Sequence, residues 1–193
     1  MDHKSFINSL IFEYVNASEV ERAFQLELEG FPPEEAFTLE RYTYIQKAAP
    51  TLLLGAYLSD SSSTSSSKLL IGFIMATLAD APKFTKESMS YHNPFGKTVC
   101  IHTVCVDKLY QRRGVALYML KEYIKRLKNE SQNKDVDSKY ERIALISHKH
   151  LIPLYQKAGF ILKGESEIVY GNEQWLDFEF QANWTNYLLC LVN

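Results

Sequence analysis

Gln111-Arg112-Arg113-Gly114-Val115-Ala116 follows the apolar stretch Val99–Val106 and precedes an amphipathic run, so two arginines and a glycine sit where a strand becomes a helix. A turn of this kind aims several backbone N–H groups at one point, and the positive end of the helix dipole adds to them. That combination holds a pyrophosphate without a metal. Gly114 and Ala116 are small enough for the backbone to approach phosphate oxygens closely. A solvated basic turn shares this composition, but two arginines and a glycine directly after a buried strand favour a phosphate-bearing cofactor at the strand's end. Within the strand, His102 is a polar ring among apolar neighbours, suited to proton transfer or held as a hydrogen-bonded core histidine. Cys100 has no base–acid arrangement beside it in the sequence, so a buried apolar thiol is favoured over a nucleophile.

The elements that must position these residues follow from periodicity. Leu10–Val15 reads as a first strand. Ser18-Glu19-Val20-Glu21 has the pattern of a capping box, with Val20, Phe24 and Leu28 on one face of the helix it opens and Gly30-Phe31-Pro32-Pro33 ending it. Leu39–Ala49 reads as a second helix stopped by Pro50. Leu52–Leu58 and Leu69–Thr77 read as a strand pair, joined by a flexible serine-rich loop over residues 59–68. Ala79–Gly96 is an irregular polar connection before the central strand Val99–Val106. Val115–Lys128 is a helix with Leu117, Leu120, Tyr123, Ile124 and Leu127 on its apolar face, followed by a charged loop over Asn129–Ser138. Ile143–Ser147 is a strand, and Leu151–Lys157 a short helix closed by Gly159. Two further strands are expected at Glu167–Tyr170 and Trp175–Gln181, turning at Gly171-Asn172. This order predicts one mixed α/β domain over residues 1–193, built around a single sheet.

Composition narrows the class. With 46% hydrophobic and 23% charged residues the chain is globular, and a net charge of −2 argues against a nucleic-acid partner. Cys100, Cys105 and Cys190 lack disulfide or metal spacing, which suggests reduced thiols in a cytoplasmic protein without a metal. No apolar run has the length of a signal-peptide core or a membrane span.

With the elements placed, the chain resembles the GNAT superfamily of acetyl-CoA-dependent N-acetyltransferases. Within it, the chain looks most like the arylalkylamine (serotonin-type) enzymes and the fungal members that also acetylate polyamines. The resemblance rests on Phe84–Ser88 with His92, on Cys100-Ile101-His102, on Val104–Ala116 with its Q/R-x-x-G-x-G/A turn, and on Ile152–Phe160. It implies an α/β (mixed α+β) fold with a mostly antiparallel central sheet. Helices would cover both faces, and the sheet would part in a V between strands 4 and 5, which hold Cys100 and Leu145. Acetyl-CoA would lie in the V. Its pyrophosphate would sit on Arg112, Arg113, Gly114, Val115, Ala116 and Leu117, and its pantetheine would pair with the backbone of Val104, Cys105 and Val106 like an added strand.

The implied reaction moves acetyl to the primary amine of a small arylalkylamine or polyamine by direct attack in a ternary complex, in a monomeric enzyme. A primary alkylamine has a pKa of roughly 10, so a base helps, directly or through water. His102 is the expected base, and Tyr155 the expected acid toward the departing sulfur. The similar enzymes carry two histidines two residues apart. Here Cys100 occupies the first position, so the proton path must shorten, use water or borrow a group such as His148. Phe31, Pro33, Val104 and Trp175 are the expected amine-side residues. Glu27, Glu29, Glu34 and Glu35 would attract a polyamine or form a solvated helix face. The regulatory terminal tails of vertebrate relatives are expected to be absent. Rival readings are a protein N-terminal or lysine acetyltransferase of the same fold, and a catalytically weak acyl-CoA-binding module.

Overall fold

The structure is a computed structural model that describes residues 2–59, 68–132, 140–169 and 173–181. Most of the serine tract, the later part of the expected 129–138 loop, the Gly171-Asn172 turn and Cys190 lie outside those residues.

Seven strands form one sheet: β1 (Leu10–Tyr14), β2 (Leu53–Ser59), β3 (Lys68–Ala79), β4 (Thr98–Val106), β5 (Arg142–Ser147), β6 (Ile161–Glu165) and β7 (Leu176–Gln181). Their spatial order is β1-β2-β3-β4-β5-β7-β6, and the parallel β4–β5 pair sits among antiparallel neighbours. Among the described residues six α-helices accompany it: α1 (His3–Asn8), α2 (Val20–Gly30), α3 (Leu39–Ala48), α4 (Lys86–Ser90), α5 (Val115–Ser131) and α6 (Ile152–Lys157). β3 is buried along nearly its whole length because helices cover both its faces. Ile71, Ile74 and Ala76 pack with α5, while Leu70, Phe73 and Met75 pack with α2 and α3. This explains why Leu69–Thr77 reads as a continuous apolar run and not as an alternating one.

Local chemistry moves several boundaries. The capping box lies two residues earlier than expected: the Asn16 side chain accepts from the Ser18 N–H (3.0 Å), and Glu19 accepts from the Asn16 N–H (3.0 Å). α2 buries Val20, Ala23, Leu26 and Glu27 and leaves Leu28 at 46% exposed, so the expected Val20–Phe24–Leu28 face is rotated. α5 runs past Lys128 to Ser131, which shortens the expected charged loop. The strand expected at Glu167–Tyr170 is instead β6, which pairs with β7 through Ile161↔Glu179 and Leu162↔Phe178. The apolar Ile168-Val169 pair mimics a strand, but Ile168 covers Cys100 and Val169 is exposed. α1 has no counterpart in the sequence reading. A helix of six residues has little stability of its own. It holds through the Asp2 cap on the Ser5 N–H and the buried Phe6 ring stacked on Tyr110.

Candidate active site

β4 and β5 pair only from Thr98↔Arg142 to Ile101↔Leu145. Beyond that point each keeps its outer neighbour: β4 stays on β3 as far as Gly72↔Val106, and β5 stays on β7 as far as Ser147↔Leu176. The inner edge of residues 102–106 therefore leaves its partner, and a wedge opens with backbone polar groups along one lip.

The chain turns into α5 at the end of that lip. Asp107 caps the turn by accepting from the Leu109 N–H (2.9 Å) and the Arg22 guanidinium (2.8 Å). The Gln111 amide donates to the Val106 carbonyl (2.9 Å). Arg112 (φ 60°) and Gly114 (φ 86°) are both left-handed. For Arg112 that conformation is strained by about 1 kcal/mol, and left-handed residues let a short turn gather N–H groups into one concavity. The first helical bond of α5 runs from the Tyr118 N–H to the Gly114 carbonyl, so the N–H groups of Val115, Ala116 and Leu117 lie ahead of the ladder. Arg113 lies over the Phe6 and Tyr110 rings, at 5.4 and 5.9 Å. The turn's shape and its free amides fit a diphosphate.

His102 owes its position to a β-bulge. Thr103 pairs with Met75 and Ile101 with Ala76, so His102 is the extra residue on β4. A bulge re-aims side chains. Here Ile101 and Val104 pack toward α5, while His102 meets Phe37 and Phe84 edge-on (5.9 and 5.3 Å). Val104 therefore offers the wedge its backbone more than its side chain. The Thr77 hydroxyl donates its only hydrogen to the Ser88 carbonyl (2.9 Å), so toward His102 Nε2, 2.8 Å away, it must accept. This network assigns the proton to Nε2 and leaves Nδ1 a bare lone pair, buried and without a partner among the described residues. Burial pushes the imidazole down to about 3, with the nearby Arg41 cation adding to the effect. The ring is thus neutral at physiological pH and a weaker proton acceptor than the base with a pKa near 7 that the sequence suggests. Cys100 is fully buried, and burial raises its thiol to about 11, which keeps it protonated.

On the other lip, α6 carries Tyr155 against Phe160 and Phe178. Burial raises its phenol to about 12 against a small opposing effect of Ser147, the last residue of β5, so its proton stays on Oη. The α2–α3 connection bridges the wedge. Its Glu35 lies 3.1 Å from His148 Nε2, just past β5, and its Phe37 packs on His102 of β4. Trp175 covers the His148 ring at 4.1 Å, and Glu173 lies 3.2 Å from its Nδ1.

The four glutamates separate by role. Glu29 and Glu34 are exposed, whereas Glu27 and Glu35 are buried. Glu27 accepts from the Thr103 hydroxyl (2.9 Å) and the Phe37 N–H (3.0 Å), and burial raises its pKa. It is a structural anchor for the wall of the His102 site. A cleft of about 630 Å³ opens beside that wall, lined by Phe37, Arg41, Lys86, Met89 and Ile168 among others. None of Phe31, Pro33, Val104 or Trp175 lines it: Phe31 packs on the α2–α3 core, Pro33 is exposed, and Trp175 belongs to the His148 cluster. The sequence reading missed Phe37, Arg41 and Thr77. Their only signal was closeness to the flagged Phe31-Pro-Pro33 and to the strand pair. Among the described residues no cluster of His, Cys, Asp and Glu could hold a metal, and no helix is long and apolar enough to cross a membrane.

A parted β4–β5 pair with an amide-rich turn on one lip and a phenol on the other defines a class. Residues 18–160 match the acetyltransferase (GNAT) family, and the chain belongs to that family. It is 23% identical over 165 residues to the serotonin N-acetyltransferase of Mesocricetus auratus, covering 86% of this chain and 71% of that protein. The loading GNATL domain of CurA from Lyngbya majuscula has the same fold, with a TM-score of 0.72, 11% identity, and 89% and 97% of the two chains covered. Arabidopsis thaliana NAA60, solved in complex with acetyl-CoA, shares it at a TM-score of 0.66 and 21% identity, covering 89% of this chain and 99% of that one.

Proposed function

We propose that the chain moves acetyl from acetyl-CoA to the primary amine of a small arylalkylamine, by direct attack in a ternary complex. The observation that carries this reading is the bare Nδ1 of His102 in an aromatic-walled site beside the open lip of β4. Acetyl-CoA supplies an activated thioester when bound. The amides of Arg112–Leu117 hold its diphosphate, and the inner edge of Val104–Val106 takes its pantetheine as an added strand. The amine enters as its free base, with Nδ1 placed to accept a hydrogen bond from it, directly or through water. With so low a basicity the imidazole does not store the proton: the proton that the amine nitrogen sheds on acylation leaves through water to solvent. The neutral Tyr155 keeps a proton on Oη for a leaving thiolate.

The cleft favours an aromatic acceptor over a polyamine. Phe37, Met89 and Ile168 give it apolar walls, and its lining has two cations, Arg41 and Lys86, and no carboxylate. A dication would meet like charge there. The two buried free thiols, Cys100 and Cys105, support a reducing compartment such as the cytoplasm.

The test is release of CoA thiol across tryptamine, tyramine, spermine and a short peptide with a free N-terminus, at several pH values. Turnover is expected to be fastest with the aromatic amines and to climb with pH as the free-base fraction grows. Preference for the peptide or spermine overturns the substrate class, and absence of any amine-dependent thiol release overturns the enzyme reading.

A further inference from the structure

Among the described residues Arg41 has two buried guanidinium nitrogens without a hydrogen-bond partner. It sits in the first turn of α3 and lines the cleft. Its Nη1 donates to the Ser90 carbonyl (2.8 Å), and its guanidinium lies 5.1 Å from the Tyr44 ring centre. Its Nε and Nη2 are buried and bond to nothing among the described residues, and no carboxylate lies within ion-pair distance of it. A guanidinium has five donors in a planar fork. Leaving the donors on two buried nitrogens of a half-buried side chain unmet is costly, and an arginine needed only to tie α3 to Ser90 would not require the charge. Lys86 adds a second cation to the lining, and no acidic residue answers either. Apart from Thr38 and Ser90 the remaining walls are apolar, so the cleft offers a largely hydrophobic surface with a positive fork in its lining. Phe37, which lines the cleft with Arg41, meets the His102 ring edge-on at 5.9 Å, and so joins the fork's cleft to the His102 site.

We infer that the acceptor carries a carboxylate as well as an amine, an aromatic amino acid in place of a bare arylalkylamine, with the carboxylate received by Arg41. This rests on the small-amine reading above and narrows it. The same cation that receives the carboxylate lowers the proton affinity of a neighbouring ammonium, which aids its deprotonation.

The test compares acceptor pairs that differ only in the carboxylate, tryptophan against tryptamine and tyrosine against tyramine, in the wild type, Arg41→Gln and Arg41→Lys. The wild-type kcat/KM ratio is expected to favour the acid by roughly tenfold or more. Arg41→Gln should bring that ratio to about one or below, while Arg41→Lys keeps part of it. A purely structural arginine would lower both members of a pair together and leave the ratio unmoved. A wild-type ratio at or below one, or a ratio that Arg41→Gln leaves unchanged, overturns the inference. Where Arg41→Gln does not fold, the wild-type and Arg41→Lys ratios decide. Where no amine is turned over, the acetyl-transfer reading fails separately. Calorimetry of N-acetyltryptophan against N-acetyltryptamine then tests the fork alone: tighter binding of the acid supports it, and equal affinity overturns it.

Discussion

The two sides of the wedge are made of different material. The β4 end and its turn are backbone: unpaired strand edge, two left-handed residues and the first amides of α5. The pocket around His102 is side chain: Glu27 from α2, Phe37 from the following connection, Arg41 from α3, Thr77 from β3 and Phe84 ahead of α4. Backbone sites need only a short local sequence with the right turn chemistry. Side-chain sites need remote segments brought to one place, and they carry buried polar groups that must satisfy one another. Under the proposed function the first kind holds the cofactor and the second selects the acceptor.

Substitutions can sharpen that contrast. The largest effect is expected at Glu27, whose replacement by alanine strands the Thr103 hydroxyl and the Phe37 amide and opens a void. Urea unfolding of Glu27→Ala should show a loss of about 3 kcal/mol, while calorimetry of CoA at a permissive temperature changes little. A loss below about 0.5 kcal/mol would place Glu27 outside the network described. Tyr155→Phe comes next: removing the proton held on Oη should cut kcat about a hundredfold, near 2.7 kcal/mol, with CoA affinity retained. Equal loss of kcat and affinity would instead make Tyr155 a packing residue.

Gly114→Val tests the backbone side. A β-branched residue at φ 86° is strained, although its Cβ would make only ordinary contact with His3 and Ile7 of α1 at 3.5 Å. CoA affinity should fall about tenfold, with acceptor selectivity unchanged. A shift in selectivity would mean that the two sides are not separable.

The smallest and most gradual effect is on pH dependence. His102 binds a proton near 6.5 when unfolded and near 3 when folded. Between those values the unfolded chain holds more protons, so stability falls as pH drops through that window. His102→Gln should flatten the acid side of a melting-temperature profile, and an unchanged slope would contradict a ring held neutral in the folded state. For the same reason the wild-type rate profile should lack an inflection near 6.5 and follow the free-base fraction of the amine.

These contrasts bear on what could be read in advance. The turn at Gln111–Ala116 and the helix behind it were legible because both depend on neighbouring residues only. The wedge was expected from family resemblance, and the register of β4 on β5 shows it. Glu27 read as one member of a charge run, since burial of a carboxylate depends on Thr103 and the Phe37 amide, far along the chain or in an irregular loop. His102 reads as a polar ring in an apolar strand, and it lies in β4. Its tautomer and low basicity follow from Thr77, Ser88 and Arg41, which no local pattern connects to it.

The chain's own order of residues was enough to specify the strand–turn–helix unit, the small residues that let its backbone come close to a ligand, and the mixed α/β architecture, because propensity, capping and periodicity act over a few positions. Only the folded chain decided where the β4 bulge falls, which glutamates are buried, and that Arg41 faces an apolar cleft without a counter-ion. Those outcomes depend on contacts between segments tens of residues apart, where desolvation and hydrogen-bond pairing are settled by three-dimensional packing.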